Sequence, residues 1–184
     1  MKVDGNGQGK ILSQVELSRL FTEGLKSPRD RALFAICLFT ACRLSEALAL
    51  HTTDIKARTL TFRKSNTKGK LQTRIVDIHP GLAIWLDSYQ PKKPGLMFPS
   101  RKSPGRPLTR FMADKLLRTA CQRIGVEGVS THSFRRTALT QMSSAGIPLR
   151  HIQDISGHHD LGVLQRYLEV TPEQRRQASQ VIGF

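Results

Sequence analysis

Apolar positions recur at helical spacing through the first fifty residues. Ser13 followed by Glu16 is a capping-box pattern, and Val15, Leu17, Leu20 and Phe21 then mark a helix over roughly 14–25. Ser27-Pro28 sets a capping serine before a proline at a first helical position. The segment RALFAICLFTACRLSEALAL after it is apolar nearly all round, which predicts a mostly helical stretch central to the core. The period then changes from helical to alternating. Residues 58–63 and 71–79 are short β-branched runs separated by SNTKGK, which reads as a hairpin. PGLAIWLDSY predicts a short helix, and five of the nine prolines fall between 91 and 107, so that stretch is an ordered loop or exposed linker.

Helical spacing returns in the second half. An amphipathic helix is expected over 109–124, ending near Gly125, and another over 131–145, with Gly146 as its stop and Pro148 opening the next. Gly157 and the DLG at 160–162 punctuate the chain before a helix running through Tyr167. Thr171-Pro172, with Gln174 as capping partner, begins a last helix of about ten residues. Residues 1–10 are polar and glycine-rich, a flexible tail, and no internal repeat is visible. The pattern describes one domain over 11–184, α+β and predominantly helical, with one small antiparallel sheet or hairpin.

Composition adds a partner. The 184 residues carry 29 Lys+Arg against 14 Asp+Glu, a net charge of +15, and 39% are hydrophobic, enough for a real core. No run of eighteen or more apolar residues is present, so no transmembrane helix is expected, and the N-terminus lacks the apolar stretch of a secretory signal. Cys37, Cys42 and Cys121 are odd in number and lack CxxC spacing, which argues against a disulfide framework or a cysteine zinc site and fits a reducing compartment. Two stretches are basic without a single acid: residues 61–76 with five basic side chains and 91–110 with six. Such surfaces suit phosphates, because neutralising them releases condensed counterions. A polyanion is the expected partner.

Three segments hold residues suited to chemistry. His132 and Arg135 in THSFRRT lie three apart and share a helix face, a guanidinium fork beside a group that exchanges a proton near neutrality. Arg43 interrupts an apolar helix in TACRLSEALAL. Burying a guanidinium without partners costs several kcal/mol, so Glu46, one turn on, either orients it for function or forms a structural pair with it at a helix end. His158 and Tyr167, nine apart, would face opposite ways on one unbroken helix, but Gly157 and Gly162 permit a break that brings them together. Taken singly, surface chance or packing explains the His132–Arg135 pair, His158 and Tyr167 better than function does, and the Arg43–Glu46 pair equally well.

In order and spacing, however, Arg43, a hairpin lysine, His132-x-x-Arg135, Gly157-His158 and Tyr167 resemble the catalytic domain of the tyrosine recombinases, the phage-integrase family, over residues 11 to 184. The resemblance implies that fold and a site-specific strand transferase working on double-stranded DNA through a 3′-phosphotyrosine intermediate. It makes Tyr167 the nucleophile, Arg43 and Arg135 clamps on the non-bridging oxygens, His158 a further donor, and His132 an aid to proton transfer. The general acid for the 5′-oxygen falls best on Lys68, with Lys70 and Lys64 as alternatives. The chemistry is coherent in its own right. A phenol needs help to attack at neutral pH, an alkoxide needs a proton to leave, and fixed cations take the place of a metal. No metal-ligand cluster is visible, so no cofactor and no nucleotide are expected.

The match departs from the family pattern in places. Ala41-Cys42 stand before Arg43 where a glycine two residues ahead is usual, Arg136 follows Arg135 where histidine is common, and Phe134 replaces the usual leucine. Only some twelve residues precede the first expected helix, so an N-terminal core-binding domain is not expected within this chain. The segment 171–184 either packs on its own domain or is exchanged between protomers, giving a homotetramer on DNA; an accessory DNA-bending or core-binding partner would complete the clamp. Arg110, Lys115, Arg118, Arg123 and Arg136, with Lys64 and Lys70, are the expected DNA contacts. The expected location is the cytoplasm, at the nucleoid. Two rival readings are a metal-independent ribonuclease using His132 and His158, and a catalytically inactive DNA-binding accessory protein.

Overall fold

The computed structural model describes residues 9–66, 73–91, 93–158, 160–165 and 172–180. Helix α1 (Gln14–Arg19) starts at the expected capping box: Ser13 Oγ accepts from the Glu16 N–H at 3.2 Å, and Glu16 Oε2 accepts from the Ser13 N–H at 3.0 Å. The helix continues as a π turn over Leu20–Gly24. α2 (Pro28–Phe39) begins at Ser27 as expected, with Pro28 at its first turn. It is buried along Ala32–Cys37 and packs on both α4 (Pro80–Asp87) and α6 (Thr131–Ser144). Phe34 of α2 stacks on Phe134 of α6 with ring centroids 5.1 Å apart, so this helix is the spine of the main core.

The expected long helix through Arg43 is corrected here. It stops at Phe39, the chain turns through Thr40–Cys42, and α3 (Leu44–Leu48) starts afresh with Arg43 as its N-cap. The turn is made by Ala41, whose φ of +48° lies in the left-handed region that breaks right-handed helices. Apolar pattern concealed the break, because residues on both sides of it are buried.

The hairpin is present with shorter strands than the alternation suggested, and with a third strand. β1 (Ile55–Lys56), β2 (Thr59–Phe62) and β3 (Arg74–Asp77) form an antiparallel sheet in that order, with Leu60 opposite Val76 and Phe62 opposite Arg74. The proline-rich stretch is non-helical, tied down by bridges from His51 to Leu96 and from Pro99 to Pro107. α5 (Arg110–Arg123) is capped by the Thr109 hydroxyl, which accepts from the Met112 N–H at 3.2 Å. α7 (Leu149–Ser156) follows Pro148 and ends at Gly157; α8 (Leu161–Gln165) and α9 (Pro172–Gln180) follow. A smaller apolar cluster of Ala41, Ala138, Leu139, Ile152 and Leu164 joins α6, α7 and α8 to the break after α2. That joint is where the polar cluster forms. No helix among the described residues is long and apolar enough to cross a membrane.

Candidate active site

Four residues nominated from the sequence, Arg43, Glu46, Arg135 and His158, fall in one polar cluster. Arg43 is extended at the start of α3 (φ −75°, ψ 148°), which aims its N–H at Glu46 Oε2, 2.9 Å away. Its Nη1 donates to Glu46 Oε1 at 3.2 Å, and 26% of the Arg43 side chain stays exposed while Glu46 is buried. The expected pair is thus present, with Glu46 holding the Arg43 guanidinium at the start of a helix.

Arg135 enters from the second turn of α6, 3% exposed. Its Nη1 donates to the carbonyls of Ala41 and, at 2.9 Å, Ser156. Its Nη2 lies 2.8 Å from Nε2 of His158. The left-handed turn at Gly157 (φ +67°) places His158 there, and Ser156 Oγ lies 2.8 Å from its Nδ1. A guanidinium only donates, so the arrangement fits a neutral imidazole accepting at Nε2 and donating from Nδ1 to Ser156. Burial, and then the repulsion of nearby Arg43, lower the Arg135 guanidinium to about 10. It remains charged at neutral pH.

Sequence reading missed one member of the cluster. Arg74, the first residue of β3, is 7% exposed. Its Nη2 donates to Glu46 Oε2 at 3.3 Å, and its Nη1 donates to the carbonyls of Thr40, at 3.3 Å, and Ile155. Its guanidinium lies 4.3 Å from the ring centroid of Phe62, and burial lowers its pKa. A signal for it existed: in β3 positions 74 and 76 face inward while 75 and 77 face out, so an arginine occupies an inward strand position. Two guanidinium groups, of Arg43 and Arg74, thus share the Glu46 carboxylate with that of Arg135 nearby, which leaves an excess of positive charge where Arg43 reaches solvent.

His132 is exposed at the second position of α6, while Arg135 one turn on points inward. Tyr167, Lys68 and Lys70 lie outside the described residues. Lys64 opens a 3-10 turn beyond β2. Arg110, Lys115, Arg118 and Arg123 are exposed along α5, but two of them have internal contacts: Arg118 pairs with Asp114 at 2.6 Å, and Arg123 Nη1 donates to the Gly24 carbonyl at 2.8 Å. Arg136 is half-buried, its Nη1 donating to the Gly9 carbonyl at 2.9 Å. Among the described residues, no three His, Cys, Asp or Glu side chains are grouped so as to hold a metal. A groove of about 700 Å³ runs between β3 and α6 past Phe39, Ile75, Met142 and Ile155, and it includes none of the three arginines. Arg43, with 26% of its side chain exposed, is the part of the cluster that reaches the surface.

Comparison with known proteins places the chain among relatives. The sequence profile described as "Phage integrase family" matches residues 10–174. The chain is 30% identical to the tyrosine recombinase XerD of Neisseria meningitidis (strain Z2491), over 92% of its own length and 61% of the relative's. It is 25% identical to the tyrosine recombinase XerC of Roseiflexus sp. (strain RS-1), over 88% and 55% respectively. The chain thus spans about three fifths of the curated relatives it matches. In fold it superposes on the crystal structure of XerA recombinase with a TM-score of 0.78 at 21% identity, covering 97% of this chain and 65% of that one. It also superposes on the catalytic domain of bacteriophage HP1 integrase at 0.70 and 23% identity, covering 94% and 95%. With the arginine pair and histidine convergent on one charged cluster and a family match spanning nearly the whole sequence, this chain belongs to the phage integrase family, the tyrosine recombinases.

Proposed function

We propose that the chain cuts and rejoins duplex DNA at specific sites, with Tyr167 as nucleophile and no metal or nucleotide. The Tyr167 oxygen forms a bond to the scissile phosphorus as the bond from phosphorus to the 5′-oxygen breaks. The phenolic proton passes to His132, and Lys68 protonates the departing 5′-oxygen. The product is a 3′-phosphotyrosine and a free 5′-hydroxyl. Attack by a second 5′-hydroxyl reverses the steps, and because the phosphate stays esterified throughout, rejoining consumes no ATP.

The observation that most supports this reading is the convergence of Arg43, Arg135 and His158 on one cluster with Glu46 as their only carboxylate among the described contacts. A phosphodiester gains negative charge as it becomes five-coordinate, and fixed cations that are already in place stabilise that charge without reorganising. Arg43, the exposed member, meets the phosphate first.

DNA, as a homotetramer on two sites, is the proposed partner, with an accessory DNA-bending or core-binding protein supplying further contacts. Solved structures of XerH recombinase are described as bound to difH substrate, and these share the fold of this chain at TM-score 0.71. The cytoplasm, at the nucleoid, is the proposed location.

Covalent trapping tests the proposal. The protein is incubated with EDTA and a pool of nicked genomic duplexes, then run on a denaturing gel. The expected result is a protein–DNA adduct that is lost in Tyr167→Phe. RNA cleavage that survives Tyr167→Phe would identify a ribonuclease, and salt-sensitive DNA binding without adduct a non-catalytic binding protein.

A further inference from the structure

Arg74 makes more contacts inside the cluster than any role in the proposed reaction requires. One guanidinium joins three segments of chain that are remote in sequence. Nη2 reaches the Glu46 carboxylate, whose two oxygens also hold the Arg43 backbone and side chain. Nη1 reaches the carbonyl of Thr40, in the break that precedes Arg43. It also reaches the carbonyl of Ile155, three residues before His158. The stem of Arg74 lies against the left-handed turn at Gly157, where an added Cβ would stand 3.1 Å from Arg74 Nε.

We infer that Arg74 is the positioning residue of this site, setting Arg43 through Glu46 and His158 through the end of α7, without touching the phosphate itself. It is 7% exposed, with both terminal nitrogens turned to acceptors inside the protein, so burial keeps it from DNA. Glu46 faces two cations. Without Arg74 its carboxylate is free to rotate wholly onto Arg43 and pull that guanidinium inward. Released from Arg74, the Ile155 carbonyl loses a partner at the end of α7, and the turn carrying His158 loosens with it. Lysine keeps the charge but not the planar fork that reaches three acceptors at once.

The inference rests on the strand-transfer reading, so its test has one arm that needs no DNA. Arg74→Lys and Arg74→Met are compared with the wild type by NMR of the Arg43 Nε–H and the His158 ring. Both signals are expected to move while those of the Phe34–Phe134 core stay in place. In the second arm, single-turnover cleavage is measured on the duplex recovered by trapping, and on the same duplex with a methylphosphonate at the scissile position. A misplacement of about 1 Å costs on the order of 10²-fold in rate, so a loss of ~10²-fold is expected for Arg74→Met with DNA affinity unchanged. On the methylphosphonate, which has lost a non-bridging charge and so needs the clamp less, the defect should shrink to below ~10-fold.

Equal defects on both substrates, wild-type rates, unmoved signals, or loss of folding in both variants would each overturn a positioning role. If the wild type itself forms no adduct, the strand-transfer reading fails instead, and the spectra still decide whether Arg74 sets Arg43 and His158.

Discussion

Arg135 Nη2 sits 2.8 Å from Nε2 of His158, joining the second helix turn of one motif to the loop that ends another, 23 residues further along the chain. The contact is buried and closed from behind by Ser156 Oγ, 2.8 Å from Nδ1. Arg135 and His158 thereby each limit the orientation of the other's side chain.

Ser156 orients the ring, so its hydroxyl matters although it faces no phosphate. A net hydrogen bond is worth about 1 kcal/mol, or roughly fivefold in rate. Ser156→Ala is therefore expected to slow single-turnover cleavage about fivefold with unchanged DNA affinity. ¹⁵N NMR of His158 should show the Nδ1–H tautomer in the wild type and a mixture in the variant.

Ala41 stands at φ +48°, and a left-handed L-residue costs about 1–2 kcal/mol. Glycine adopts this conformation freely but adds entropy to the unfolded chain. Ala41→Gly is expected to stabilise the protein by about 0.5–1 kcal/mol in urea unfolding. Ala41→Val crowds the same turn, shifts the carbonyl that holds Arg135, and should lower both stability and cleavage.

Gly157 caps α7 in the left-handed region with the Arg74 side chain beside it. Gly157→Ala therefore incurs backbone strain of about 1 kcal/mol and presses on Arg74. The expected outcome is a lower melting temperature together with a cleavage defect that resembles that of Arg74→Lys.

The basic residues of α5 divide into two kinds. Lys115 is exposed, whereas Arg123 ties the end of α5 to the π turn through the Gly24 carbonyl. Lys115→Ala should weaken DNA binding evenly across sequences and reduce the salt slope by about one phosphate's worth, ~0.9. Arg123→Ala should mainly cost stability, about 1 kcal/mol. Binding titrations at several salt concentrations, with melting curves, separate the two.

Deletion of residues 171–184 addresses assembly. α9 lies in this segment. If the segment is exchanged between protomers, the deletion impairs pairing of two DNA sites more than binding to one. Native-gel titration on one-site and two-site duplexes reads both, and unchanged pairing would assign the segment to its own domain.

Local features were legible in the residues themselves. The Ser13–Glu16 box and the Arg43–Glu46 pair depend on groups three positions apart, and the stops at Gly146 and Gly157 on one glycine each, so the local sequence predicts them. The order of Arg43, His132, Arg135, His158 and Tyr167 likewise carries the family in the chain as written. What sequence could not decide depends on contacts across long separations. The break at Ala41 is hidden because alanine is a strong helix former and its φ is imposed by its surroundings, where its carbonyl meets Arg135, 94 residues on. Arg74 was hidden for the same reason. Its acceptors come from segments 34 and 81 residues away, and only folding brings them within reach of one guanidinium. Burial then makes that convergence matter, because a cation removed from water is held only where several acceptors surround it.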